Sequence, residues 1–192
     1  MAIQLTLCSV PVFFATSEGQ TRRIAERFAS VLRKDGLESV TYDVGDLEHA
    51  VINWSKVDGV ILGASLHAGK HQRQAHGFAS SQASRLNALP SMFFSVSLAA
   101  ASQNRKEVDE AQALANGFVA AHGWQPRTVA SLAGRLAYTQ YGFVKRFVMT
   151  RIARKEGAPT DTSRDYEFTN WSRVEELAHG FASQIRTKRA AA

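Results

Sequence analysis

Residues Thr16-Ser17-Glu18-Gly19-Gln20-Thr21 place three hydroxyls, a carboxylate, an amide and a glycine directly behind the apolar run Val12-Phe13-Phe14-Ala15. An amphipathic pattern follows at once: Ile24, Ala25, Phe28, Val31 and Leu32 make one stripe, and Arg22, Arg23, Glu26, Arg27 and Lys34 fall off it. That order predicts a buried strand, a tight turn and a helix N-terminus, with Gly36 as terminator. Helix N-termini carry unpaired N–H groups and partial positive charge, so the turn suits a phosphate. Thr16, Ser17 and Thr21 would add hydroxyl donors, and Gly19 would let the backbone approach closely. The same turn also fits an ordinary strand–turn–helix in which hydroxyls cap the helix and nothing binds.

Other phosphate signatures fit less well. Gly63-Ala64-Ser65-Leu66-His67-Ala68-Gly69-Lys70-His71 has one residue too many for a Walker-type loop and ends in histidine where a hydroxyl is needed. No Gly-x-Gly-x-x-Gly follows a strand, so a mononucleotide is expected rather than a dinucleotide. His67, His71 and His76 lack a neighbouring carboxylate or thiol to complete a metal site, and no metal is expected. Ser97 and Ser131 have neither a nucleophile elbow nor a paired base, which argues against a hydrolase. No catalytic acid or base is identifiable.

These residues need a scaffold to converge. Strands are expected at 12–15, 39–44, 57–63, 92–98 and 128–133. Helices are expected at 71–86, from Val108 to near Gly123, and from an N-cap at Thr169 or Asn170 through Ile185. A weakly helical crossover is expected over 46–56. Alternating strands and helices imply an α/β fold with a parallel sheet covered on both faces. Ligands of such sheets bind beyond the carboxyl ends of the strands, where the loops at 16–21, 65–71 and 98–103 would meet.

The chain has 192 residues, 45% hydrophobic and 21% charged, as expected for one globular domain spanning 1–192. Cys8 is the only cysteine, so no intrachain disulfide or thiolate cluster can form. The opening segment has no basic residue before its apolar stretch, and Pro11 interrupts it, so a cleaved export signal is not expected. Nothing else is apolar for long enough to span a bilayer, and a cytoplasmic protein is expected. The net charge of +6 favours anionic partners.

Segment 136–167 is an unusually long connection, and its basic residues cluster over Lys145–Lys155. Phe143, Val144, Phe147, Val148 and Ile152 share one helical face, and Arg135, Lys145, Arg146, Arg151, Arg154 and Lys155 lie mostly off it. No acid occurs between Arg135 and Lys155. A basic amphipathic insertion can rest on an anionic membrane, bind a substrate's carboxylates or cover a cofactor, or it can simply pack on the domain. Nucleic acid is not expected, because no base-stacking platform or recognised motif is evident.

Together the stretches Thr16–Thr21, Gly63–Gly69, Pro90–Leu98, Leu132–Gly134 and Thr160–Thr162, with Trp171 near the start of the last helix, resemble a known family. It is the flavodoxin-like, quinone-dependent protoporphyrinogen IX dehydrogenases of bacteria, and the likeness runs from about Val10 to Arg186. The resemblance implies a flavodoxin-like, doubly wound five-stranded parallel sheet with a long insertion after or within the fifth strand. It implies non-covalent FMN, with Thr16, Ser17, Glu18, Gly19, Gln20 and Thr21 around the phosphate. The flavin ring would lie between Ser65, Leu66, His67, Ala68 and Gly69 on one side and Ser97, Leu98 and Ala99 on the other. Common flavodoxins set aromatic rings there, so one flavin face is expected to stay open for a large planar substrate. The implied activity is oxidation of protoporphyrinogen IX with a respiratory quinone as acceptor. Arg135, Lys145, Arg146 and Arg151 are candidates for substrate carboxylates, and the implied location is the inner face of the cell membrane. A plain electron-transfer flavodoxin or soluble quinone reductase, and a non-enzymatic docking module, are the competing readings.

Overall fold

The computed structural model describes residues 3–6, 9–47, 50–136, 138–140 and 161–191. Its centre is a parallel sheet of β2 (Val12–Ala15), β3 (Thr41–Asp43), β5 (Val60–His67), β7 (Ser91–Ser97) and β8 (Thr128–Ala133), in the order β3-β2-β5-β7-β8. A short strand β6 (Lys70–His71) folds back antiparallel on the end of β5. The inner strands β2, β5 and β7 are buried along almost their whole length, as strands covered on both faces must be.

Alternation along the strands divides the core into two. Val12, Phe14, Ile61 and Phe94 point to one face, against α1 (Gln20–Lys34) and the C-terminal helix, named α4 below (Trp171–Ala190). Phe13, Leu62 and Phe93 point to the other, against α2 (Arg73–Ala88) and α3 (Arg105–Ala121). The paired phenylalanines thus serve opposite layers: Phe94 stacks on Phe28 at 5.1 Å, and Phe93 on Phe118 at 4.5 Å. Truncating any of these rings removes contacts worth about 3–5 kcal/mol. Gly63 lies under Phe94, whose ring occupies the place of any Cβ.

Three expectations are corrected. The crossover at 46–56 is not helical: a single 3-10 turn (Val44–Leu47) precedes β4 (Ala50–Asn53), which pairs in parallel with β1 (Ile3–Thr6). A β-branched run found a distant strand partner, which helical spacing cannot reveal. The helix expected from His71 starts at Arg73, because His71 belongs to β6 and pairs with Leu66. The third strand continues to His67, so residues 65–67 are strand rather than loop.

The remaining element is a small ribbon. β9 (Arg135–Leu136) pairs antiparallel with β10 (Tyr166–Glu167), Leu136 facing Tyr166. Leu136 and Tyr138 are fully buried in a satellite cluster with Leu98, Tyr166 and Phe168. Asp165 closes this end by accepting from the Thr139 N–H at 2.9 Å and its hydroxyl at 2.8 Å, bonds that hold its carboxyl below the usual range. The positions from Phe143 to Ile152 that define the amphipathic face lie outside the described residues.

Candidate functional site

Strand order reverses between β2 and β5, and a cleft of about 380 Å³ opens at the carboxyl ends beside that point. Its first wall is the turn into α1. The Gly19 N–H donates to Thr16 Oγ1 at 2.9 Å, and Gly19 has a φ of 82°, a conformation that L side chains rarely adopt. No side chain caps α1, and its first turn contains no acid, so its amides keep their capacity for an outside acceptor. Thr21 is fully buried, and its Oγ1 has no hydrogen-bond partner among the described residues. A buried hydroxyl without a partner is costly, and this one belongs to a residue that lines the cleft. The turn therefore fits a phosphate group such as that of FMN.

Gln20 steadies the turn from outside. Its Nε2 donates to Glu167 Oε1 at 3.0 Å and to Thr169 Oγ1 at 2.8 Å, and Thr169 Oγ1 donates to Ala133 O at 2.8 Å. Arg23 donates to both Gln20 Oε1 (3.1 Å) and Glu167 Oε2 (3.0 Å). Arg135 donates to the carbonyl of Glu18 at 3.2 Å. The start of α1 is thereby tied to the end of β8 and to both strands of the β9–β10 ribbon.

The second wall is the β5–β6 hairpin. Ala68 (φ 48°) and Gly69 (φ 75°) form its two-residue turn in left-handed conformations, which suit the strand twist. His71 anchors the hairpin, its Nε2 lying 2.9 Å from Ser95 Oγ on β7. Burial, and secondarily the neighbouring His76, lower the His71 pKa to about 4, so its imidazole is neutral near pH 7. Gln72 Nε2 donates to Ser17 Oγ at 3.1 Å and to Ser65 Oγ, joining hairpin and phosphate turn. Across from them, Ser97 Oγ accepts from the Ala100 N–H at 3.2 Å and Ser97 O from Gly134 N–H at 3.0 Å, which shapes the Ser97–Ala99 edge.

Of the positions expected from sequence, Thr16, Glu18, Gln20 and Thr21 line the cleft from the first wall. Ser65 through Gly69 line it from the second wall, Ser97 through Ala99 from the third, and Arg135 stands at one end. Ser17 and Gly19 belong to the turn but not to the cleft surface, Ser17 being exposed. Lys145, Arg146 and Arg151 lie outside the described residues. His67 contributes the one ring among the described lining residues; no Phe, Tyr or Trp is among them. Among the described residues no three His, Cys, Asp or Glu side chains gather as a metal site, and no helix is long and apolar enough to cross a membrane.

Sequence reasoning missed the fourth wall. Glu107, Glu110, Ala111 and Leu114 of α3 also line the cleft. Their i, i+3, i+4, i+7 spacing marks a helical stripe, but the neighbouring stripe of Val108, Ala111, Ala115 and Phe118 is more apolar and drew the attention. Glu107 Oε1 accepts from Asn104 Nδ2 at 3.1 Å, and Glu110 pairs loosely with Lys106 at 3.9 Å.

The model of the Flavodoxin domain family matches residues 11–163. The protoporphyrinogen IX dehydrogenase [quinone] of Escherichia coli K12 is 33% identical over 171 residues, covering 89% of this chain and 93% of that one. The Leishmania major protein of the same name is 29% identical over 95% of this chain and 78% of its own. Among solved structures, oxidised Flavodoxin 1 from Bacillus cereus superposes with a TM-score of 0.53 at 15% identity, covering 91% of this chain and 97% of the flavodoxin, a likeness of fold alone. A family model over most of the length, with a relative of that identity matched nearly end to end, shows that this chain belongs to the flavodoxin-domain family and, within it, to the family of the protoporphyrinogen IX dehydrogenases [quinone].

Proposed function

We propose that the chain is an FMN-dependent protoporphyrinogen IX dehydrogenase that passes electrons to a quinone. The observation that carries the reading is the phosphate-type turn, with the unpartnered hydroxyl of Thr21, a residue lining the cleft at the reversal of strand order, in a chain 33% identical to an enzyme of that name. Bound FMN supplies the two-electron redox chemistry by which ring hydrogens leave as hydride and proton. The chain supplies the rest. Amides of the α1 N-terminus with Thr16 and Thr21 hold the phosphate, Gln20 ties the turn to Glu167 and Thr169, and Ser17, Glu18 and Gly19 shape the turn. The Ser65–Gly69 hairpin and the Ser97–Ala99 edge border the ring, and the scarcity of aromatic cover leaves room for a planar substrate. Arg135 holds the turn through Glu18.

In the same reading 1–192 is one domain, and segment 136–167 is a basic insertion that meets the anionic inner face of the cell membrane and gives access to quinone. The cations of that segment then face lipid phosphates.

Anaerobic assay of the purified, flavin-loaded chain tests this. Porphyrin should appear at a rate that depends on added quinone, and deletion of 141–160, which spares the ribbon and Glu167, should lower liposome binding. A colourless protein that takes up no FMN, or flavin reduced faster by NAD(P)H than by the porphyrinogen, would overturn it.

A further inference from the structure

A second groove, with a volume of about 500 Å³, runs from the cleft along α3 and shares Gly69 and Leu114 with it. Its floor is Leu114, Gly117 and Phe118, and its rim carries Lys70 from the hairpin and Arg73 from the first turn of α2. Leu114 is 40% exposed, one of two large hydrophobic side chains so open among the described residues. Lys70 and Arg73 are exposed, and neither side chain has an ion-pair or hydrogen-bond partner among the described residues.

The charge along α3 is asymmetric. Glu107, Asp109 and Glu110 occupy its first half, and no acid occurs from Ala111 to Ala121. The stretch of α3 that lines the cleft is therefore acidic, and the adjoining groove, lined also by His71 and His76, is mainly apolar with Lys70 and Arg73 on its rim. A carboxylate brought to the cleft is repelled by Glu107 and Glu110 and attracted by Lys70 and Arg73. An amphipathic dianion, apolar in body with two acid groups on one edge, matches the groove; a neutral ligand leaves both cations without a counter-charge.

We propose that this groove seats the dicarboxylate edge of the tetrapyrrole: the two propionates of the porphyrinogen meet Lys70 and Arg73 while its macrocycle lies over Leu114 toward the cleft. This rests on the functional reading above. It also answers a problem of size. A cleft of about 380 Å³ is room for about one drug-sized ligand. A flavin ring and a tetrapyrrole cannot both be enclosed there, and the groove that shares Gly69 and Leu114 continues the cleft on the side where the macrocycle would emerge.

The test compares the FMN-loaded full chain with Lys70→Gln, Arg73→Gln and the double variant. Each single change should raise KM for protoporphyrinogen IX about tenfold, and the double change more, with kcat, FMN affinity and quinone KM held within about twofold. Binding of protoporphyrin IX and of its dimethyl ester, followed by flavin fluorescence, gives a readout free of turnover. The wild type should prefer the diacid, and the double variant should lose that preference. An unchanged preference in the double variant would overturn the proposal, as would a preference lost only in a Lys145→Gln/Arg146→Gln/Arg151→Gln variant. If the wild type binds the diacid selectively but oxidises no porphyrinogen, the functional reading fails while the groove's selectivity for an apolar dianion stands.

Discussion

Thr21 combines full burial with a hydroxyl that has no partner among the described residues, and such a group makes the folded apoprotein less stable than it need be. Thr21→Val keeps the shape and removes the orphan, so the apoprotein should melt at the same temperature or slightly higher. FMN affinity should fall about tenfold, the scale of one lost hydrogen bond to a charged group, while riboflavin affinity stays the same. Fluorescence titration with both flavins decides this; equal FMN binding by variant and wild type would remove the hydroxyl from the phosphate site. Residues of this kind were legible in the sequence, because the turn is local: strand, hydroxyls, glycine and helix follow one another within ten positions. Glu107 and Glu110 were not legible. They reach the cleft only because α3 packs beside β7 and β8, a relation set by the whole sheet.

At the scale of elements, the β5–β6 hairpin stores a small strain. Ala68 adopts a left-handed conformation, which costs an L residue about 1–2 kcal/mol relative to glycine. Ala68→Gly should raise Tm by about 2–4 °C in thermal unfolding, less whatever entropy the glycine adds to the unfolded chain. A lower Tm would mean that the Ala68 methyl makes contacts worth more than the strain. The hairpin also explains why one boundary was misread. Sequence periodicity starts the second helix at His71, because His71 and Ala75 share a helical face. In the structure the side chain of His71 is bonded to Ser95 and its backbone pairs with Leu66, so the helix begins two residues later. The β1–β4 pair was invisible for a related reason: each strand is short, and each makes sense only once the other is present.

At the scale of the whole molecule, acid should loosen the layer formed by α2 and α3. His71, His76 and His122 connect the hairpin, α2 and the end of α3, with His76 Nδ1 2.9 Å from His122 Nε2. Burial first, then the proximity of His76, lowers the pKa of both His71 and His122. An unfolded histidine titrates near 6.5, whereas folded His71 holds off its proton until about 4. Stability from this group is therefore complete above pH 6.5 and declines as pH falls toward 4, because the unfolded chain binds the proton first. Denaturant unfolding at pH 7 and pH 4.5 should show a smaller difference for His71→Gln than for wild type; an equal difference would exclude His71 as the source. The parallel sheet with helices on both faces was legible, since strands alternating with helices imply it, whereas the order of its strands emerges only in the structure.

Leu136 and Tyr166 face each other across two hydrogen-bonded residues per strand, so the polypeptide leaves the sheet and rejoins it at nearly one point. Tyr138 is buried beside the ribbon and Thr139 is bonded to Asp165, so the junction is closed within a few residues of each end. Exchanging 141–160 for a stretch of different length or polarity should therefore keep the ribbon and the cofactor cradle, in the way a tool head is changed on an unchanged handle, and flavin content of the exchanged chain is the measurement.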